Sequence, residues 1–294
     1  MEYEASNNTV RVTGISSFDL GQTLECGQCF RFIKDDENSY TIIAYGRVLH
    51  VAFDKDTFVL HPCTLEEFEN IWMDYFDLNT DYEEIRERLS ASDPVLKEAA
   101  AFAPGIRILN QEPWECMISF IISQNKNIPG IQQIIKNISE RYGDRIRDGI
   151  YAFPTPEQLG RATKEDLRAC KTGFRDKYIM AATEAVLSGR ISLDELISID
   201  TDEARKLLMS IQGIGVKVSD CVLLYSLRHR DVFPTDVWVR RIMQYFYFSG
   251  AEKNDAKEAS INEIHTLASS KFGNNSGLAQ QYLFHYARKL KIGL

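Results

Sequence analysis

The chain has 294 residues, of which 44% are hydrophobic and 26% are charged, an ordinary globular mixture with room for two domains and a sizeable core. Its formal net charge of −8 argues against a non-specific coat on nucleic acid, but it permits a local DNA site, because backbone N–H groups at helix starts can hold phosphates. No apolar run approaches the roughly 20 residues of a membrane span, and Glu2 and Glu4 argue against a secretion signal, so we expect a soluble, cytoplasmic protein.

Short β-type runs alternate with turn signals before residue 95, a pattern typical of a small antiparallel sheet. Polar loop residues at 35–39 and the pair Gly46-Arg47 indicate hairpin turns. The predicted strands are Thr9–Thr13, Cys29–Phe32, Tyr40–Tyr45, Val48–Phe53 and Phe58–His61. Two predicted helices follow, Leu65–Phe76 and Tyr82–Leu89.

After residue 95 the apolar residues recur with the 3.6-residue period of helices. The predicted helices are Trp114–Ser123, Ile131–Tyr142, Lys164–Cys170, Asp176–Leu187, Thr201–Met209, Val216–Leu227, Val237–Phe246, Asn254–Phe272 and Ala279–Leu290. The pattern predicts an α+β fold in which an antiparallel β-sheet domain with flanking helices, residues 1–95, precedes a mainly α-helical domain, residues 96–294.

Six cysteines are too few for a disulfide framework in a chain of this length. Cys26 and Cys29 form a CxxC pair that could serve redox chemistry or half of a zinc site, but no second Cys/His pair stands at finger spacing. No C-terminal cysteine cluster could hold an iron–sulfur centre. The pattern favours unpaired thiols in a reducing compartment.

The segment from about 203 to 228 predicts two helices joined by the tight turn Gln212-Gly213-Ile214-Gly215. The N–H groups at Gly213, Gly215 and Val216 would then point outward from the start of the second helix, where a phosphate can bind. A helical corner that serves only packing gives the same local pattern.

Lys217 lies in the first turn of that second helix, where the helix dipole disfavours a charged ammonium and so favours a nucleophilic amine. Cys221 lies four residues later on the same face. Asp236 follows Phe233-Pro234-Thr235 at a predicted helix start, where a carboxylate would be held rigidly. This combination, more than any one residue, predicts a catalytic site.

A hairpin, a lysine and then a Pro-Thr-Asp segment resemble the helix–hairpin–helix (HhH-GPD) superfamily of DNA glycosylases, and most closely the 8-oxoguanine DNA glycosylase/AP lyases. The resemblance extends from about Gly27 to Arg288. It implies that Lys217 attacks the sugar C1′, expels the base and forms a Schiff base that permits β-elimination, while Asp236 stabilises positive charge on the sugar. It further implies a monomer that acts on double-stranded DNA containing a damaged purine and requires no cofactor and no iron–sulfur cluster. In a bacterium, such a protein would be associated with the nucleoid.

The resemblance also implies a pocket for an extruded base. The carbonyl of Gly27 would accept a hydrogen bond from N7–H of 8-oxoguanine, which normal guanine lacks. Gln280 would bond the Watson–Crick edge, and Phe284 and Cys221 would cover the two faces of the base. Without the resemblance, Gly27 is a turn glycine, Phe284 a core residue and Gln280 a surface residue.

Residues that contact the duplex follow from the same resemblance. Asn125, with Asn127 in the same loop, would fill the gap that the extruded base leaves. Phe174 would be an aromatic wedge and Arg175 would bond the opposite cytosine. The backbone carbonyls of three hairpin residues would bind a monovalent cation: Met209, Ile211 and Ile214.

Two positions depart from the family pattern. The second cytosine-reading arginine of the family is replaced by Gly130, and a common phosphate-binding histidine is replaced by Trp238. The first departure predicts weaker discrimination for cytosine opposite the lesion. Two other functions remain open. One is a non-catalytic DNA-binding module built on the hairpin, which would need neither Lys217 nor Asp236. The other is a monofunctional glycosylase for another damaged base, against which Lys217 argues.

Overall fold

The computed structural model describes residues 1–248 and 258–291. The N-terminal part is an antiparallel sheet of six strands in the spatial order β1-β2-β6-β5-β4-β3. The strands are β1 (Glu2–Ser6), β2 (Thr9–Thr13), β3 (Phe32–Asp36), β4 (Ser39–Ala44), β5 (Arg47–Asp54) and β6 (Thr57–His61). Asn7 and Asn8 both adopt positive φ between β1 and β2, as a two-residue hairpin turn requires.

Helices α1 (Leu20–Leu24), α2 (Leu65–Glu67) and α3 (Met73–Tyr75) flank the sheet, and a π-helical turn, Phe68–Trp72, joins the last two. One apolar cluster fills the space between the sheet and these helices and includes Val51, Phe58 and Trp72. The sheet predicted from alternation is confirmed. However, Cys29 to Arg31 form a loop, because the buried side chain of Gln28 holds this segment against the backbone of Thr23, Arg107 and Leu109.

The remaining chain is helical apart from a small hairpin, β7 (Arg145–Arg147) and β8 (Ile150–Tyr151). The helices are α4 (Tyr82–Ser92), α5 (Pro94–Phe102), α6 (Pro113–Ser123), α7 (Ile128–Tyr142), α8 (Pro156–Leu159), α9 (Lys164–Ala169), α10 (Asp176–Leu187), α11 (Thr201–Met209), α12 (Val216–Ser226), α13 (Val237–Met243), α14 (Ile261–Phe272) and α15 (Ser276–Leu290). The helix predicted over Asn254–Phe272 begins at Ile261, and its predicted residues 254–257 lie outside the described part of the chain. These helices share a second apolar cluster, so the α+β class is confirmed.

Helices α4 and α5 pack with the helical cluster rather than with the sheet, and α5 contacts α15. The division of the chain at residue 95 stays a prediction. Arg31 in the loop before β3 joins the two parts: it pairs with Glu115 of α6 at 3.0 Å and also bonds the carbonyl of Tyr151. In residues 1–248 and 258–291, no helix has both the length and the apolarity needed to cross a bilayer.

Candidate active site

A helical hairpin forms at the glycine-containing turn where the sequence predicts one. Helix α11 ends at Met209 and α12 begins at Val216. Gly213 adopts φ +94°, and a Cβ there would lie 2.2 Å from the ring of Tyr178, so only glycine fits the turn. Gly215 has no atom within 4 Å of the position of a Cβ, and it precedes α12 without a side-chain cap. The first amides of α12 are therefore open to an anion.

Lys217 extends from the first turn of α12 into a cavity. Its Nζ donates to Ser123 Oγ at 3.4 Å and lies 5.1 Å from the ring centre of Phe120, both on α6. Among the residues that the structure describes, no carboxylate forms an ion pair with Lys217, so the aromatic ring and the hydroxyl hold the amine in place.

Asp236 reaches the same cavity from the start of α13. It is the N-cap residue of that helix, and its Oδ1 accepts from Val239 N–H at 2.8 Å. The preceding Thr235 is buried and donates to the carbonyl of Phe233, which fixes the approach of the chain. Lys217 and Asp236 thus come from different elements and meet at one site.

The cavity has a volume of about 400 Å³, which is large enough for a purine ring. Gly27 and Phe284, two residues predicted to form the base pocket, line it together with the lysine. Gly27 adopts φ +93°, and a Cβ there would lie 4.0 Å from Cε1 of Phe284. The full lining is Gly27, Phe30, Phe120, Ser123, Lys126, Asn127, Ile128, Ile131, Lys217, Asp236, Trp238, Ile242, Phe284, Ala287 and Arg288.

Two residues predicted to form the base pocket, Cys221 and Gln280, are not part of this lining. Cys221 is buried, and although the nearby Lys217 acts to lower the pKa of its thiol, burial dominates and raises that pKa to about 11. Gln280 is also buried, and its Oε1 accepts from the side chain of Gln281 at 2.8 Å. Neither residue is among those that line the cavity, although Cys221 interacts with Lys217, which does.

A wider groove of about 850 Å³ adjoins the cavity and shares Ser123, Lys126, Asn127, Lys217, Asp236 and Trp238 with it. Asn125 lines only the groove and adopts a left-handed backbone conformation with φ +51°. Asn127 is the N-cap of α7, and its Oδ1 accepts from Gly130 N–H at 3.0 Å. The side chain of Asn127 therefore has a structural partner in addition to its place beside the groove.

Phe174 and Arg175 differ in exposure. Phe174 is 49% exposed, as a wedge requires, whereas Arg175 is 5% exposed. The guanidinium of Arg175 donates to the carbonyls of Thr172, Gln124 and Asn125, and it stacks 4.4 Å from the ring centre of Phe174. In this conformation Arg175 braces the loop that carries Asn125 and does not present a free base-reading edge.

The three predicted cation ligands surround the hairpin turn. The carbonyl of Ile211 accepts from Ile214 N–H at 3.1 Å, which leaves one of its lone pairs for another partner. Ile211 and Ile214 are buried, and Met209 is 41% exposed. Within the described ranges, no group of three or more His, Cys, Asp and Glu residues could hold a metal ion.

Several lining residues were not predicted. Lys126 stands next to Asn125 in the loop, and Arg288 lies four residues after Phe284. The four-residue spacing of Gln280, Phe284 and Arg288 was the available signal for the second residue, because such residues share a helix face. Together the cavity carries the cations Lys126, Lys217 and Arg288 against the single carboxylate of Asp236, in a chain of net charge −8.

Comparison with known families and structures agrees with this architecture. Residues 12–117 match the N-terminal domain of 8-oxoguanine DNA glycosylase, and residues 118–265 match the HhH-GPD superfamily of base excision DNA repair proteins. An N-glycosylase/DNA lyase of Saccharomyces cerevisiae is 31% identical over 92% of this chain and 83% of its own length.

Two solved structures are similar over the whole chain. A protein named MBOgg1, in complex with a low-affinity DNA ligand, is 45% identical, with a TM-score of 0.93 over 99% of this chain and 100% of its own. The 8-oxoguanine glycosylase/lyase of Clostridium acetobutylicum, bound to double-stranded DNA with cytosine opposite 8-oxoguanine, is 38% identical, with a TM-score of 0.93 over 99% of both chains.

Proposed function

Because the chain belongs to the HhH-GPD superfamily of base excision DNA repair proteins, we propose that it is a bifunctional glycosylase/AP lyase that excises 8-oxoguanine from duplex DNA. The observation that carries the proposal is the position of Lys217 and Asp236. Both line the purine-sized cavity and also the groove beside it, so a reacting sugar at the junction of the two would meet an amine and a carboxylate together.

The chemistry follows from that position. The neutral amine of Lys217 forms a bond to C1′ while the C1′–N9 bond breaks, and the bonding electron pair leaves with the base. The C1′–O4′ bond then breaks and O4′ takes up a proton, which opens the sugar ring and leaves a Schiff base between C1′ and Lys217. Loss of a proton from C2′ supplies the electron pair for β-elimination, which breaks the C3′–O bond and releases the 3′ phosphate. Asp236 carries negative charge beside a sugar that becomes positive in the transition state, and this attraction grows only as that charge develops.

Recognition of the base is assigned to Gly27 and Phe284, which line the cavity together with Lys217. The carbonyl of Gly27 would accept from N7–H of the lesion, and the ring of Phe284 would stack on the base. Cys221, which is buried and interacts with Lys217, would cover the other face of the base. Gln280 contributes its amide only when that amide turns away from Gln281.

Duplex contacts are assigned to the groove and the hairpin. The open amides near Gly213, Gly215 and Val216 would hold a phosphate, and Asn125 would enter the gap in the duplex. Phe174, exposed and backed by Arg175, would unstack the neighbouring base pair. Asn127 would serve by holding the start of α7 beside the groove.

The hairpin turn fits a monovalent cation held by the carbonyls of Met209, Ile211 and Ile214. A cation there would supply positive charge next to the backbone amides that would bind the phosphate. We place the protein as a monomer in a DNA-containing compartment, the cytoplasm and nucleoid in a bacterium.

The decisive experiment separates base release from strand scission on a duplex that carries one 8-oxoguanine. The native protein should release the base, cut the strand and form a covalent adduct with the DNA in the presence of borohydride. Lys217→Gln should lose all three, whereas Lys97→Gln, an exposed lysine on α5, should lose none.

The same assay tests the other candidate functions. A non-catalytic DNA-binding module would bind the duplex without base release. A monofunctional glycosylase would release a base without forming a trapped adduct. Neither alternative explains why an amine and a carboxylate from separate helices meet at the cavity.

A further inference from the structure

The cavity divides into two halves of different chemistry. One half is shared with the groove and contains the residues that meet the sugar and the backbone. The other half is lined by Gly27, Phe30, Phe120, Ile128, Ile131, Ile242, Phe284, Ala287 and Arg288. In this unshared half, Arg288 is the one residue whose side chain is polar; the others present apolar side chains or, at Gly27, backbone. A base that enters it meets an apolar surface and a single guanidinium.

Arg288 and Phe284 both belong to α15 and both line this half of the cavity. Phe284 precedes Arg288 by four residues, and the guanidinium carbon lies 5.9 Å from the centre of the Phe284 ring. Burial raises the pKa of Cys26, next to Gly27, to about 11, while the charge of Arg288 acts in the opposite direction, which places the guanidinium within electrostatic reach of the Gly27 turn.

The guanidinium of Arg288 is also free to donate hydrogen bonds to a ligand. Arg288 is exposed, and among the residues that the structure describes it forms no hydrogen bond or ion pair with a carboxylate. An arginine at the rim of an apolar pocket, held by an aromatic face and not by an acid, keeps its donors for a ligand.

We propose that Arg288 donates to the O6 carbonyl of the extruded purine and makes the cavity selective for 6-oxopurines over 6-aminopurines. This inference rests on the proposed function. An adenine-type base presents an amino group at the same position, so its donors would face the donors of Arg288, and the guanidinium would remain unpaired. Normal guanine also carries O6, so the arginine would select the class of purine and not the oxidation.

The test compares Arg288→Leu with the native protein on three duplexes that carry 8-oxoguanine, 8-oxoadenine or a preformed abasic site. Single-turnover base release is measured on the first two and strand scission on the third. We expect base release from 8-oxoguanine to fall by about 10- to 100-fold, the range for a lost charge-assisted hydrogen bond. Release from 8-oxoadenine should stay the same or rise, because the facing donors of Arg288 are removed, and scission at the abasic site should change by less than about twofold, because it needs no O6 contact.

Two further variants define the chemistry. Arg288→Lys keeps the charge without the planar fork and should recover part of the rate on 8-oxoguanine. Lys289→Leu removes a neighbouring exposed positive charge that does not line the cavity, and it should leave all three rates unchanged. Melting temperatures verify that each variant is folded.

An equal loss on all three duplexes would identify a general DNA contact and overturn the proposal. Unchanged excision of 8-oxoguanine, or an equal loss on the two base lesions alone, would also overturn it. Failure of the proposed function is distinct, because the native protein itself would then release no 8-oxoguanine.

Discussion

Gln124 Nε2 donates a hydrogen bond of 3.1 Å to the carbonyl of Gly213, and this bond joins the loop after α6 to the turn of the hairpin. The guanidinium of Arg175 holds the same loop from the other side through the carbonyls of Gln124 and Asn125. Two segments that are distant in sequence, and that we propose contact DNA, are therefore fixed relative to each other without a duplex, which would lower the entropic cost of binding.

The two hairpin glycines should respond differently to alanine. Gly213→Ala places a Cβ 2.2 Å from Tyr178 at φ +94°, so we expect a loss of stability of about 1–3 kcal/mol and a lower melting temperature. Gly215→Ala meets no atom within 4 Å and should keep the melting temperature, but its methyl group would stand where a phosphate approaches and should weaken duplex binding, measured by fluorescence anisotropy. Equal melting temperatures for the two variants would contradict the packing of Gly213 under Tyr178.

Asp236 can be tested for charge separately from its helix cap. Asp236→Asn keeps an acceptor for Val239 N–H, so the melting temperature should hold while single-turnover excision falls by about 100-fold or more. Asp236→Ala should lose excision and also about 1 kcal/mol of stability, because the cap is gone. Asp200→Asn alters the corresponding cap of α11 and serves as the control. Normal excision by Asp236→Asn would show that the mechanism does not need the carboxylate of Asp236.

The thiols should be inert in the folded protein. All six cysteines are buried, and burial raises the pKa of each thiol, to about 11 at Cys26 and Cys221 and about 12 at Cys63. Because the thiolate is the reactive form, a thiol reagent at pH 8 should label the native protein slowly and the denatured protein at all six sites. Cys29→Ser should leave excision nearly unchanged; loss of activity in that variant would favour a redox role for the CxxC pair.

Glu112 should make stability depend on pH between about 4.5 and 7. Burial raises the pKa of its carboxyl to about 7, and the neighbouring Glu115 adds to the shift. The folded state then binds the proton more tightly than the unfolded state. The resulting stabilisation is complete below the ordinary pKa of 4.5 and is lost as the pH rises through about 7.

Denaturant titration of Glu112→Gln across that range measures this effect. The amide does not titrate, so the variant should gain stability relative to the native protein as the pH rises. Glu66→Gln, on an exposed position of α2, controls for the removal of one negative charge. If the difference in the free energy of unfolding between the native protein and Glu112→Gln stays constant with pH, the buried carboxyl of Glu112 is not the source of the pH dependence.

Opposite-base selectivity should be weak. A bidentate base contact supplies about 1–3 kcal/mol of discrimination, but Gly130 has no side chain and Arg175 is bound to backbone carbonyls. We therefore expect excision opposite cytosine to exceed excision opposite adenine by less than about tenfold in single-turnover assays. Gly130→Arg should not simply restore selectivity, because its Cβ would lie 2.8 Å from Asn127 Oδ1 and disturb the cap of α7. Strong rejection of adenine by the native protein would show that Arg175 is released on binding.

The sequence by itself determined the sheet, most helices, the hairpin and the helix cap at Asp236, because each depends on local spacing: alternation, the 3.6-residue period, turn glycines and helix-cap residues. Only the tertiary structure decided which side chains face the cavity. Arg175 lies 51 residues from Gln124, whose carbonyl it binds, and Gln280 is held by a neighbour buried with it against α12. Arg288 likewise faces the cavity because α15 packs against the helical core. The orientation of a side chain depends on contacts between segments far apart in the chain, and local spacing does not encode those contacts.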